Sequence, residues 1–169
     1  MVIGIIGAGA SGMAAALASA ENPDVQVILL ERQARVGRKL SATGNGRCNL
    51  TNLHANKDSY HGDDPAFAAA AIARFPVQET LNWFSDLELY TVAEDSGRVY
   101  PYSDQANSVV DVLRFALEKK NGITRSEKAV MLTAFSIFVR SLSYLCCYTK
   151  TDSRQYVYLS RFLFAAAAN

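Results

Sequence analysis

The chain has 169 residues, half of them hydrophobic, and a formal net charge of +1. That length and apolar content can bury a core and exclude a disordered chain, and the near-neutral charge removes any global attraction to nucleic acid or to an anionic membrane. The three cysteines, Cys48, Cys146 and Cys147, are odd in number and lack a CxxC spacing, which argues against a disulfide framework and a zinc site and for a reducing cytoplasm.

The N-terminal MVIGIIGAGASG has no basic leader and breaks its apolar run with glycine, unlike a signal peptide. Val2-Ile3-Gly4-Ile5-Ile6 is short and β-branched, and predicts a strand buried on both faces. Gly7-Ala8-Gly9-Ala10-Ser11-Gly12 follows, then the strong helix former Met13–Ala18. Val25–Leu30 predicts a second buried strand, ending at Glu31.

Strand, G-x-G-x-x-G, helix, strand and acid together form the dinucleotide-binding pattern. Gly7 permits the tight turn, Gly9 lets a pyrophosphate approach the backbone, and Gly12 lets the helix pack closely. The helix N-terminus offers N–H groups and partial positive charge to phosphates. Glu31 suits ribose hydroxyls and repels a 2′-phosphate, so the expected adenosine is of the FAD or NAD type. Arg32 lies over the adenine or is a surface cation; both readings stand.

Gly37 to Asn52, GRKLSATGNGRCNLTN, is too polar for a core element and has neither helical nor alternating rhythm. Arg38 and Lys39 can neutralise phosphates. Gly44 and Gly46 let backbone lie against a flat ring or a phosphate. Asn45, Asn49, Thr51 and Asn52 offer neutral donors and acceptors suited to a ribityl chain and an isoalloxazine rim. A simple NAD fold does not need this segment, so the cofactor expected is FAD. Unfilled, the segment is expected to be mobile, because Arg38, Lys39 and Arg47 have no acidic partner within it.

VIGIIGAGASGMAAALA followed by LLERQARVGRKLSATGNGRCNLTN closely resembles a bacterial flavoprotein family of NAD(P)/FAD-dependent oxidoreductases. Its members are described as aminoacetone oxidases or as reductases of unsaturated 3-oxo bile-acid intermediates. Tyr60-His61-Gly62, Trp83-Phe84, Glu94–Pro101 and Ala106–Leu113 extend the resemblance from Val2 to about Lys120. The resemblance implies a glutathione-reductase-type FAD domain. It places Gly7, Ala8, Gly9, Ala10, Ser11 and Gly12 on the pyrophosphate, and Glu31 and Arg32 on the adenosine. Arg38 and Lys39 fall on the phosphate or ribityl side, and Gly44, Asn45, Gly46, Arg47, Cys48 and Asn49 near the flavin. Val130 completes the expected cofactor contacts. Catalytic residues do not carry over.

Other residues have competing readings. Cys48 has no partner cysteine nearby in sequence and reads as a small packed thiol. His61 or His54 could donate a proton or be plain loop residues, and Arg98 could bind an anion or form an ion pair. The basic cluster Arg32, Arg35, Arg38, Lys39 and Arg47 has no interleaved aromatics for stacking RNA bases, so cofactor phosphates are its expected partners.

Asp64-Pro65 predicts a helix start, with helices over Ala66–Phe75 and Val77–Leu87 separated by Pro76. In the second, Leu81, Phe84 and Leu87 share a face. Tyr90–Val92 and Arg98–Tyr100 predict a hairpin. Asn107–Lys120 predicts an amphipathic helix with Val109, Val110, Leu113 and Leu117 inward, stopped by Asn121-Gly122. Ile123-Thr124 and Ser126–Val130 predict the start of a strand and meander.

The apolar run Ala129–Val139 ends at Arg140 and is too short to span a bilayer. Residues 131–169 depart from the family pattern and lack a second glycine-rich turn. The expectation is therefore a single, incomplete α/β domain over 1–169. It has a Rossmann-type parallel sheet with helices on both faces, and its substrate domain is expected to be absent, either through truncation or frame-shift or because a genuine short protein carries a replaced C-terminal third. Two functions follow from the sequence. One is an FAD oxidoreductase reduced by NAD(P)H and re-oxidised by an organic acceptor or O2. The other is a non-catalytic nucleotide-binding remnant. No metal, membrane or nucleic-acid partner is expected.

Overall fold

The computed structural model describes residues 1–56, 59–61, 66–126, 149–150 and 155–159. They divide into two compact units where the sequence predicts one domain. One unit holds Met1–Arg38 and the described residues from Leu113 to Leu159; the other holds those between Lys39 and Val112.

The first unit is built on a parallel sheet. β1 (Val2–Ile6) leads into helix α1 (Ala10–Ser19) and then β2 (Gln26–Leu30). β1 and β2 pair in parallel, with Gly4 opposite Ile28. Burial alternates along both strands: Ile3, Ile5, Val27 and Leu29 are buried, and their neighbours only half-buried or exposed. The expected closure of both faces is thus not reached among the described residues. α1 packs on both strands, burying Met13, Ala16 and Leu17 at helical spacing.

The second unit opens on a 3-10 turn, Leu40–Gly46, followed by β3 (Thr51–Asn52), α2 (Ala66–Arg74) and α3 (Val77–Asp86). Pro76 stands at the N-cap of α3 in extended conformation, where its missing N–H costs no helix hydrogen bond. Phe84 is the buried residue of α3, and Trp83 meets its ring edge-on with centroids 5.0 Å apart. β4 (Thr91–Ala93) and β5 (Arg98–Pro101) form the predicted hairpin. β3 adds to it in antiparallel fashion, giving the order β3-β5-β4.

Helix α4 (Ala106–Lys119) begins in the second unit and ends in the first. Val109, Leu113 and Leu117 are buried as predicted, and Val110 is half-buried. Gly122 follows at φ +85°, the left-handed conformation that stops a helix. β6 (Ile123–Ser126) then joins the first unit's sheet beside β2.

β7 (Thr149–Lys150) and β8 (Gln155–Leu159) complete that sheet in the order β6-β2-β1-β8-β7. β8 runs parallel to β1, with Val2 opposite Gln155 and Ile6 opposite Leu159. The sequence reading placed no strand there, although Tyr156-Val157-Tyr158 has strong β-propensity. Strands therefore lie on either side of β1, and the direction of winding reverses at its C-terminal end. Asp64, Pro65, Val130, Cys146 and Cys147 lie outside the described residues. Among the described residues no helix is long and apolar enough to cross a membrane, and no cluster of His, Cys, Asp and Glu could hold a metal ion.

Candidate functional site

The β1–α1 turn sits where the sheet changes direction, and the chain's own contacts fix its shape. The Gly7 N–H donates to Leu30 O at 2.7 Å, with Gly7 at φ +95°. The buried Ala8 is held on both sides of its peptide. Its N–H donates to Glu31 Oε2 at 2.8 Å, and its carbonyl accepts the Gly37 N–H at 2.8 Å. Glu31 Oε1 accepts the Gln33 N–H at 2.9 Å. The acid predicted to bind ribose thus also staples the glycine turn to the end of β2. A carboxylate has about four acceptor positions, and these two bonds occupy one on each oxygen.

Gly9 is the N-cap of α1, at φ −79° and ψ −174°, and no side chain caps the helix. Any residue can adopt that backbone conformation. A Cβ built on Gly9 would meet nothing within 4 Å. Neither backbone strain nor packing among the described residues requires glycine here, and the missing side chain leaves the backbone open at the positive end of a helix. Ala10 and Ser11 are half-buried and Gly12 is buried in the first turn of α1. Arg32 and Arg38 are exposed.

The second unit carries the other predicted residues, in a form the sequence did not suggest. Gly44 (φ +55°, ψ +39°), Asn45 (φ +55°, ψ +37°) and Gly46 (φ +85°) are consecutively left-handed, and Cys48 has φ +62°. Left-handed residues usually occur singly and cost a non-glycine residue about 1–2 kcal/mol. Gly44 admits no substitute, because a Cβ there would lie 2.8 Å from Asn49 N. Residues Ala42 to Gly46 are exposed, while Leu40, Cys48 and Leu50 anchor the segment in the core.

Backbone bonds close the turn: Cys48 N–H to Thr43 O at 3.0 Å and Arg47 N–H to Gly44 O at 3.1 Å. The Asn49 amide nitrogen faces Thr51 O and Val99 O at 2.8 and 3.2 Å. The turn is closed by these contacts of the segment itself.

Arg47 is the main departure from the sequence reading. Its Nη2 donates to Glu94 Oε1 at 2.8 Å and its Nε to Asp104 Oδ1, while its guanidinium lies 3.9 Å above the Tyr100 ring. Both carboxylates raise its already high pKa. Its partners are 47 and 57 residues away in sequence, which is why the segment alone seemed to lack them. Burial pushes the Cys48 thiol up, against a hydrogen bond with Thr43 that lowers it. Cys48 is buried, as expected of a small packed thiol. His54 and His61 are exposed, and the His54 N–H donates to Asn52 Oδ1 at 2.8 Å.

Comparison with known proteins adds the following. The family described as HI0933-like protein Rossmann domain matches residues 1–139. The chain is 48% identical over 119 residues to a 3-dehydro-bile acid delta(4,6)-reductase of Clostridium scindens, covering 70% of this chain and 29% of that protein. It is 32% identical over 130 residues to a ribosomal RNA dihydrouridine synthase of Escherichia coli, covering 77% of this chain and 32% of the other. A Haemophilus influenzae protein of the same name is 27% identical over 115 residues, covering 68% of this chain and 28% of that one. The chain thus spans about a third of the length of the curated relatives it matches.

Proposed function

The chain belongs to the family of HI0933-like protein Rossmann domains, and from that premise we propose that it is the dinucleotide-binding part of an FAD-dependent oxidoreductase. The observation that carries this reading is Gly9, a glycine at a helix N-terminus with no need to be glycine except for a close external approach. Gly7, Ala8, Gly9, Ala10, Ser11 and Gly12 would bind the pyrophosphate through the first amides and the positive end of α1. Glu31 would take the adenosine ribose on its remaining acceptor positions, with Arg32 on the adenosine and Arg38 and Lys39 on phosphate. Gly44–Asn49 and Val130 are proposed as further cofactor contacts, with Arg47 reassigned below.

Bound FAD would supply reversible hydride transfer, with NAD(P)H as the proposed reductant. This chain's part is to bind and orient. The proposed acceptor is an activated carbon–carbon double bond, or O2. The relatives' names support reduction chemistry: one is a reductase of a 3-dehydro-bile acid, and two make dihydrouridine in ribosomal RNA. The expectation of no nucleic-acid partner rested on charge and on the lack of aromatics among the basic residues, and the last two names make RNA an acceptor to assay beside small molecules.

Gly9→Val tests the reading. Its backbone angles accept valine and nothing lies within 4 Å of the new Cβ, so the fold should persist while the approach is filled. The expected result is no saturable binding in an FAD titration, with an unchanged far-ultraviolet circular dichroism spectrum. Normal FAD binding by this variant would refute the assignment.

A further inference from the structure

We propose that Arg47 is a positioning residue: with Glu94, Asp104 and Tyr100 it holds the Gly44-Asn45-Gly46 turn in its left-handed form, ready for a ligand. A cationic side chain in a segment of cofactor contacts invites assignment to a phosphate. Here the guanidinium is committed elsewhere. Two of its N–H groups point at two different carboxylates, and its face rests on the Tyr100 ring.

Arg47 and Glu94 are about a third exposed and Asp104 more so. Ion pairs in such settings add little to stability. Their effect is geometric. Arg47 directly follows three left-handed residues, and its own N–H closes the turn onto Gly44 O. Fixing its side chain at three points fixes the direction in which the chain leaves Gly46. A conformation that costs energy in an exposed segment persists only where the surroundings over-determine it, and such segments concentrate at ligand sites.

The ligand proposed for the turn is FAD, and that identity rests on the function proposed above. The clamp itself does not.

Three variants separate a clamp from a phosphate ligand. Arg47→Lys keeps the charge but loses the planar fork and the flat stacking face. The double variant Glu94→Gln/Asp104→Asn leaves the Arg47 charge unpaired while replacing the two ion pairs with weaker hydrogen bonds to neutral amide oxygens. Arg47→Ala removes everything. Two quantities are read for each: affinity for FAD and for ADP by titration, and hydrogen exchange at the amides of Gly44 to Cys48 without ligand.

A clamp predicts that all three variants lose FAD affinity by about tenfold, keep wild-type ADP affinity and exchange faster in the turn. The idea is overturned if the double variant binds FAD as tightly as wild type, if Arg47→Lys behaves as wild type, or if exchange is unchanged in every variant. If the wild-type chain binds neither FAD nor ADP, the cofactor reading fails, and the exchange rates alone decide whether Arg47 holds the turn.

Discussion

Glu31 accepts a hydrogen bond on each carboxylate oxygen, from Ala8 N–H and from Gln33 N–H. Glu31→Ala therefore leaves the buried Ala8 N–H without its acceptor. Leaving a buried donor unsatisfied costs about 1–3 kcal/mol, so the urea midpoint of this variant should fall, with or without FAD. Glu31→Gln keeps one carbonyl oxygen and should fall between the two. An unchanged midpoint in Glu31→Ala would show that the staple contributes nothing. The strand–turn–helix–strand unit around Gly7, Gly9, Gly12 and Glu31 was legible in the sequence because its signals are local. The hydrogen bonds that Glu31 makes were not, since a carboxylate at a strand end looks the same whether it waits for a ligand or holds a backbone amide. The ion pairs of Arg47 were hidden for a different reason: they join residues 47 and 57 positions apart, and nothing local marks them.

Among the elements, α4 was read most fully. Its apolar spacing placed Val109, Val110, Leu113 and Leu117 inward, and all are buried but Val110, which is half-buried. Leu113→Ala should destabilise by about 2–5 kcal/mol through lost contacts and the cavity left behind. Phe115, two residues on and 48% exposed, should change stability by no more than about 0.5 kcal/mol when cut to alanine. Equal urea midpoints for the two variants would contradict the packing of α4. The β4–β5 hairpin and the break between α2 and α3 were also legible, since turn residues and Pro76 act locally. β8 was missed because the aromatic run that forms it stands in a stretch without periodic context, and its pairing with β1 spans most of the chain. The left-handed turn was half legible. Gly44-Asn45-Gly46 is a composition that tolerates positive φ, but nothing local in the sequence showed that Leu40, Cys48 and Leu50 would be buried or that Arg47 would pair with Glu94.

At the scale of the whole molecule, the parallel order β6-β2-β1-β8 puts the glycine turn at the end of the central strand, where the winding reverses. The family match over residues 1–139 takes in both the β1–α1 turn and the left-handed turn and ends before β7 and β8. The central claim is that the first unit's glycine turn holds the ADP half of FAD. Displacement measures it most directly: the chain is loaded with FAD, ADP is titrated in, and flavin fluorescence reports release. The account predicts that ADP displaces FAD fully and competitively. Retention of all bound FAD at saturating ADP would contradict it.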